Sequence, residues 1–136
     1  MLTLLAITLL LLVGATVVTA AGRAITTSRL AGSGTVPQYV AWGTGAGTAA
    51  VADTGLFTEA SEARVAGSLT QQTTSTTNDT FQVVGTMIVA GSGKTITNAG
   101  LFDASSGGNL FLKGDFTGVV LNVGESIQFS FRVQYA

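Results

Sequence analysis

Residues 125–135 read ESIQFSFRVQY, and in them Ile127, Phe129, Phe131, Val133 and Tyr135 alternate without a break with Gln128, Ser130, Arg132 and Gln134. A period of two puts the five apolar side chains on one face of an extended strand, whereas a helix would scatter them around its axis. One dry face and one wet face is the pattern of an antiparallel strand laid over a core. This stretch predicts an antiparallel β fold.

The rest of the chain agrees with that constraint. Its 136 residues suit one domain with an ordinary core. Glycine, threonine, alanine and valine dominate and only 10% of residues are charged, a composition suited to strands joined by many turns. Residues 36–42 read as a strand with Pro37 near its start, where a missing N–H is tolerated, and with Trp42 in the core. Residues 64–70, 109–116 and 119–121 read as further short strands, the last two parted by Thr117-Gly118. Residues 81–102 read as a central hairpin. Phe81, Val83, Met87 and Val89 lie on one face of its first strand and Val84 and Ile88 on the other, and Gly91 and Gly93 are free to take positive φ in its turn. The expectation is a mainly β protein, an antiparallel β-sandwich or small barrel of about seven short strands, with an apolar N-terminal arm and one short helix.

Two glycine-rich stretches invite a nucleotide-binding reading and fail it. The sequence Gly91-Ser92-Gly93-Lys94-Thr95 has Ile88 where a phosphate loop needs its first glycine. The β-branched residues that follow do not start the helix whose N-terminus would face an anion, so Lys94 reads as a turn-flanking charge. Gly43-Thr44-Gly45-Ala46-Gly47 lacks the third glycine of the dinucleotide fingerprint and reads as a flexible loop. The chain has no histidine and no cysteine. It therefore cannot by itself build a Ser-His-Asp or Cys-His pair, a zinc site of the usual kind or a disulfide. No catalytic, cofactor or metal residue is assigned, no cofactor is implied, and the expectation is a protein without enzymatic activity or a small-molecule substrate. Six basic residues against seven acidic ones, all scattered, argue against nucleic acid as a partner. So sparsely charged a surface points instead to cover by copies of itself or by a larger assembly.

The chain divides into residues 1–20, an apolar arm; 21–35, a short helix and linker; and 36–136, the β domain. Residues 1–20 carry no charged side chain and would be long enough, as a helix, to span a bilayer. Their β-branched content also permits extended structure. The arm's Leu4, Leu5, Ile7, Leu9, Leu10, Leu12 and Val13 are candidate contacts with protein partners. In residues 20–30, AAGRAITTSRL, Ile25 and Leu30 with Ala21 and Ala24 can line one side of about three helical turns before Gly32 and Gly34 stop them. Arg23 and Arg29 on that helix are candidate anchors to an acidic neighbour.

Residues 53–61 and 98–105 share Gly-Leu-Phe, preceded by Asp or Asn and followed by Ala-Ser. In both copies Leu56-Phe57 and Leu101-Phe102 plug the core where a strand leaves the sheet. Asp53, Glu59, Glu62 and Asp103 read as turn caps and solvated charges rather than as a catalytic pair. Residues 71–80, QQTTSTTNDT, lack apolar anchors and read as an exposed, mobile loop.

The run Tyr39-Val40-Ala41-Trp42-Gly43-Thr44-Gly45, residues 53–64, the run from Ile96 to Asp103 and residues 121–131 together resemble small virion proteins of tailed bacteriophages. These are described either as tail-fibre-like or as head decoration (cement) proteins. The likeness covers roughly residues 19–136 and leaves the hydrophobic residues 1–18 outside it. It implies a structural virion protein, β-rich and homotrimeric. The leading expectation is a capsid decoration protein on the outer capsid surface, bound to the major capsid protein and to its own copies through the arm. The alternatives are a tail-fibre or spike component, as an adaptor or receptor-binding module, and a membrane-anchored or exported β domain.

Overall fold

A computed structural model describes residues 16–135 of the chain. The candidate arm residues Leu4, Leu5, Ile7, Leu9, Leu10, Leu12 and Val13 lie outside the described residues. In chain order the elements are β1 (Thr16–Val18), α1 (Ala20–Leu30), β2 (Tyr39–Gly43), β3 (Val65–Ala66), β4 (Ser68–Gln72), β5 (Thr80–Ile88), β6 (Lys94–Phe102), β7 (Leu110–Leu121) and β8 (Ser126–Gln134). The eight strands form two sheets paired antiparallel throughout, one of five strands in the order β1-β7-β6-β2-β3 and one of three in the order β4-β5-β8. The expected β class holds, with one strand more than the seven expected.

The extra strand is β1, which falls within the stretch read as arm. Thr16 stands opposite Gly114 and Val18 opposite Leu112. Residues 64–70 are not one strand. Gly67 divides β3, in the larger sheet, from β4, in the smaller. Residues 109–121 are one long strand rather than two, and an irregularity between Ile96 and Asn98 in the pairing of β6 with β7 absorbs Thr117-Gly118. Residues 81–102 are not a hairpin. Strand β5 pairs with β4 and β8 while β6 pairs with β2 and β7, so residues 89–93 arch from one sheet to the other. Residues 122–125 make a second arch beside the first, and the two are tied by Val89 N–H to the Glu125 carbonyl and Gly124 N–H to the Val89 carbonyl, each at 2.9 Å. Gly91 takes the positive φ expected of it, at 77°, and Gly93 does not.

The core between the sheets is built from Val40 and Trp42 of β2, Val83 and Met87 of β5, Ile96 and Leu101 of β6, Leu112 and Leu121 of β7 and Ile127 and Phe129 of β8. Phe129 touches Trp42, Phe116 and Phe131 ring to ring. The alternation read in residues 125–135 is present. Its dry face grades outward, from buried Ile127 and Phe129 through half-buried Phe131 and Val133 to exposed Tyr135. Phe81, another expected core residue, is half-buried at the margin of this core.

A second, smaller apolar layer sits on the outer face of the larger sheet. Ala41, Phe102 and Leu110 point away from the main core and are buried beneath Tyr39 and Leu56. The cover is the chain between β2 and β3, which folds back over the sheet.

Helix α1 starts where its cap dictates. Thr19 has an extended backbone, and its hydroxyl accepts the Gly22 N–H at 2.9 Å while donating to the Leu110 carbonyl. The helix lies against β7 so closely that a Cβ on Gly22 would run into the Phe111 carbonyl oxygen. Ile25 is buried as expected. Leu30 is not, being 83% exposed, because the helix rests on β7 through its first turns and its last turn overhangs the sheet.

Candidate functional site

The residues that sequence alone could place in chemistry turn out to fasten the cover to the sandwich. Lys94 does not flank a turn in solvent. Its ammonium pairs with Glu62, whose carboxylate also accepts Trp42 Nε1–H at 3.1 Å and Ala90 N–H at 3.1 Å. Burial would raise the Glu62 pKa, but the bonds from Lys94, Ala90 and Trp42 outweigh it and hold the carboxyl at about 2. Strand β6 begins at Lys94, so the Gly-Ser-Gly-Lys-Thr stretch opens a strand and offers no helix N-terminus to a phosphate.

Lys113 is enclosed on the outer face of the larger sheet. Its ammonium reaches Asp53 Oδ2 at 3.0 Å and the Gly55 carbonyl at 2.9 Å, and lies 3.1 Å from the centroid of the Phe57 ring. The Ala50 N–H and then Lys113 pull the Asp53 pKa below its ordinary value. The side-chain amide of Asn98 accepts the Phe57 N–H and donates to the Phe57 carbonyl, both at 3.0 Å. The two segments that echo each other in sequence therefore touch, Asn98 of the second holding Phe57 of the first. Arg64 grips Glu59 with two guanidinium nitrogens at 2.7 and 3.0 Å and stacks over Phe102 at 3.5 Å. The glycine-rich stretch 43–47 is pinned rather than free, since Thr44 N–H bonds to Thr58 and Gly45 N–H to Phe57.

Residues 73–79 are also more organised than their composition suggests. Asp79 accepts the N–H groups of Thr74, Ser75 and Thr76 at 2.8 to 3.0 Å, and Gln134 Nε2 at 3.0 Å. The amides of Thr76 and Thr74 foremost hold its carboxyl well below the usual carboxylate range. Every acidic group of this set is thus engaged in structure, and the described residues hold no cluster of three or more acidic or other metal-ligating side chains fit for an ion.

Among the described residues a groove stands open. About 450 Å³ in volume, it lies between the overhanging end of α1 and the neighbouring ends of β5 and β8, with Ile25, Leu30, Pro37, Phe81, Phe111 and Tyr135 on its walls. Of the two arginines read as anchors, Arg29 stands at this groove and donates to the Gly34 carbonyl at 2.8 Å, while Arg23 is exposed on α1 away from its lining. The alternating pattern of 125–135 pointed to Tyr135 as apolar-facing. That Leu30 would stand bare beside it depends on the angle at which α1 crosses β7, which no local pattern encodes.

A fold made of two antiparallel sheets, pinned by partly buried ion pairs and carrying an apolar groove, suits a structural part of an assembly. Residues 18–134 match the family described as Podophage GP4 fiber I protein gp80. The chain belongs to that fiber family. It is thus a bacteriophage structural protein, associated with the virion, as the resemblance implied. The family match begins at Val18, within β1, and spans the sandwich, leaving residues 1–17 before it. No curated protein matches the chain, and no solved structure does. Among the described residues no helix is long and apolar enough to cross a membrane.

Proposed function

We propose that this fiber-family chain is a component of the phage tail fibre, acting without enzymatic activity as a self-associating structural module. The observation that carries this reading is the extent of the family match, which coincides with the sandwich itself rather than with an appended segment. A fibre subunit must hold its shape under load and offer contacts to copies and to the rest of the tail. Partly buried ion pairs between the cover and the sheet serve the first need, and the apolar groove beside α1 serves the second.

The fibre reading is favoured over the decoration reading because the family description names a fiber. Capsid decoration through the major capsid protein is the outcome against which it is tested. Gold-labelled antibody against the sandwich, applied to intact particles and viewed by electron microscopy, is expected to mark the tail. Label spread over the shell would overturn the fibre reading and restore the decoration one.

A further inference from the structure

We propose that the groove beside α1 receives the uncharged segment 1–15 of a second copy of this chain, so that neighbouring subunits are joined by exchanged arms. The proposal rests on the self-associating role argued above and adds to it the surface and the occupant.

The groove needs an apolar occupant. Its walls are aliphatic and aromatic, its volume of about 450 Å³ suits several leucine-sized side chains, and two of its rim residues, Leu30 and Tyr135, are 83% and 55% exposed. Arg29, the charged residue of its lining, already donates to the Gly34 carbonyl, so nothing in the groove calls for an acidic partner. The chain carries a matching segment. Residues 1–15 include seven leucines and no charged side chain, so they present apolar surface in any conformation.

The direction of the chain selects a neighbour's groove over its own. Strand β1 runs from Thr16, opposite Gly114, to Val18, opposite Leu112. The described chain therefore begins opposite Gly114, whereas the groove opens beside Phe111, beyond the other end of β1. An arm filling its own groove would have to reverse and run back along the strand it had just left. An arm filling the groove of an adjacent copy continues outward. Exchange of identical segments between protomers is a low-cost route to assembly, and burial of leucine side chains supplies the driving force.

The absence of cysteine makes a clean test possible in the full-length chain. Leu9→Cys and Leu30→Cys are placed on separate copies, mixed and oxidised mildly, with Leu9→Cys mixed with Val123→Cys as the control. Leu30 and Val123 are both exposed, so neither change disturbs the core, and Val123 lies at the opposite, arched end of the sandwich. Docking of the arm is expected to give the disulfide between the cysteines introduced at positions 9 and 30 of separate copies in at least about tenfold greater yield than the control pair, through its higher effective concentration. Equal yields from the two mixtures would overturn the proposal. So would a double variant, Leu9→Cys with Leu30→Cys, that closes only within one chain, since that places the arm in its own groove. Partition of the full chain into phosphatidylcholine vesicles that is lost when residues 2–13 are deleted, without the inter-copy disulfide, would overturn it in favour of a membrane segment. Mass photometry of the unmodified chain separates the levels of failure. Oligomers without the disulfide remove only the exchanged arm, whereas monomers at every concentration remove the self-association on which it rests.

Discussion

The two sheets differ most on the faces they turn away from each other. On the five-stranded sheet the chain between β2 and β3 covers part of the outer face, so Ala41, Phe102, Leu110 and Lys113 are as enclosed there as the core residues on the inner side. The outer face of the three-stranded sheet has no such cover, and Gln128, Ser130, Arg132 and Gln134 of β8 lie open to solvent. A covered face needs more than apolar contact, because the covering chain has little regular structure and its backbone groups must find partners. Asn98 and Lys113 meet the Phe57 and Gly55 backbone groups, and Glu62 ties the same chain to Lys94 and Trp42. The bare face needs only hydrophilic side chains. Polar residues therefore differ between the two sheets: on one they fasten a layer, while on the other Gln128 and Ser130 face water and Gln134 ties down only the marginal residues 73–79.

The largest effect belongs to the core that both sheets share. Phe129→Asp would place a charge among Trp42, Phe116 and Phe131, adding an unpaired buried carboxylate to the loss of about 3 to 5 kcal/mol for a removed phenylalanine. That approaches the whole stability of a small domain, so no soluble folded protein is expected, and a soluble variant with native far-UV circular dichroism would refute the packing. Next comes the covered face. Lys113→Met keeps the length of the stem but strips Asp53, the Gly55 carbonyl and the Phe57 ring of their cation. The expected loss is about 3 kcal/mol in urea unfolding, at the lower end for a broken buried pair because Asp53 retains some solvent. Gln128→Lys, on the bare face, should shift the same measurement by less than about 0.5 kcal/mol. Equal effects at the two sites would erase the distinction between the faces.

The same distinction explains what the sequence disclosed. Strand β8 was legible because its outer face is wet, and period-two alternation survives only where one side of a strand meets water. Strand β7 was legible only in two pieces, because Leu110, Phe111, Leu112, Lys113 and Gly114 are all buried, which leaves no alternation to carry it onward, and Thr117-Gly118 then resembled a break. The turn at residues 89–93 was visible in its glycines. Which sheet the outgoing strand joins was not, since a hairpin and an arch use similar turn residues and differ only in pairing partners far along the chain. Lys94 and Glu62 are 32 positions apart, so their pairing is a product of tertiary structure. The groove was half legible, for Ile25, Phe81 and Tyr135 read as apolar, but the overhang that bares Leu30 follows from how Gly22 seats α1 against β7.

Acid should loosen the cover before it affects the bare face. Glu62 is held at about 2 against an ordinary 4.5, so its carboxylate favours the folded state fully above about pH 5. That contribution declines as pH falls from about 5 toward 2, because the unfolded chain takes up the proton first. Glu62→Gln cannot ionise, and it leaves Lys94 without a counter-charge. The expected result is a lower melting temperature than wild type at pH 7, by several degrees, with the gap narrowing steadily below pH 5. A gap that stayed constant down to pH 3 would mean that Glu62 does not carry this pH dependence.

A local effect without a global one should appear where the bare sheet ends, at residues 73–79. Asp79 fastens this segment to the end of β8 through Gln134 and gathers the amides of Thr74, Ser75 and Thr76, all at the exposed margin of the fold. Asp79→Asn keeps one acceptor oxygen but loses the charge that draws three N–H groups together. The urea midpoint should stay near wild type, because no buried layer depends on the segment. Hydrogen exchange at the three amides should rise by about tenfold as the local bonds weaken. A fall in the global midpoint as large as that of Lys113→Met would show that this margin is fastened as firmly as the covered face. Unchanged exchange would show that the backbone of residues 73–79 holds its shape without the carboxylate.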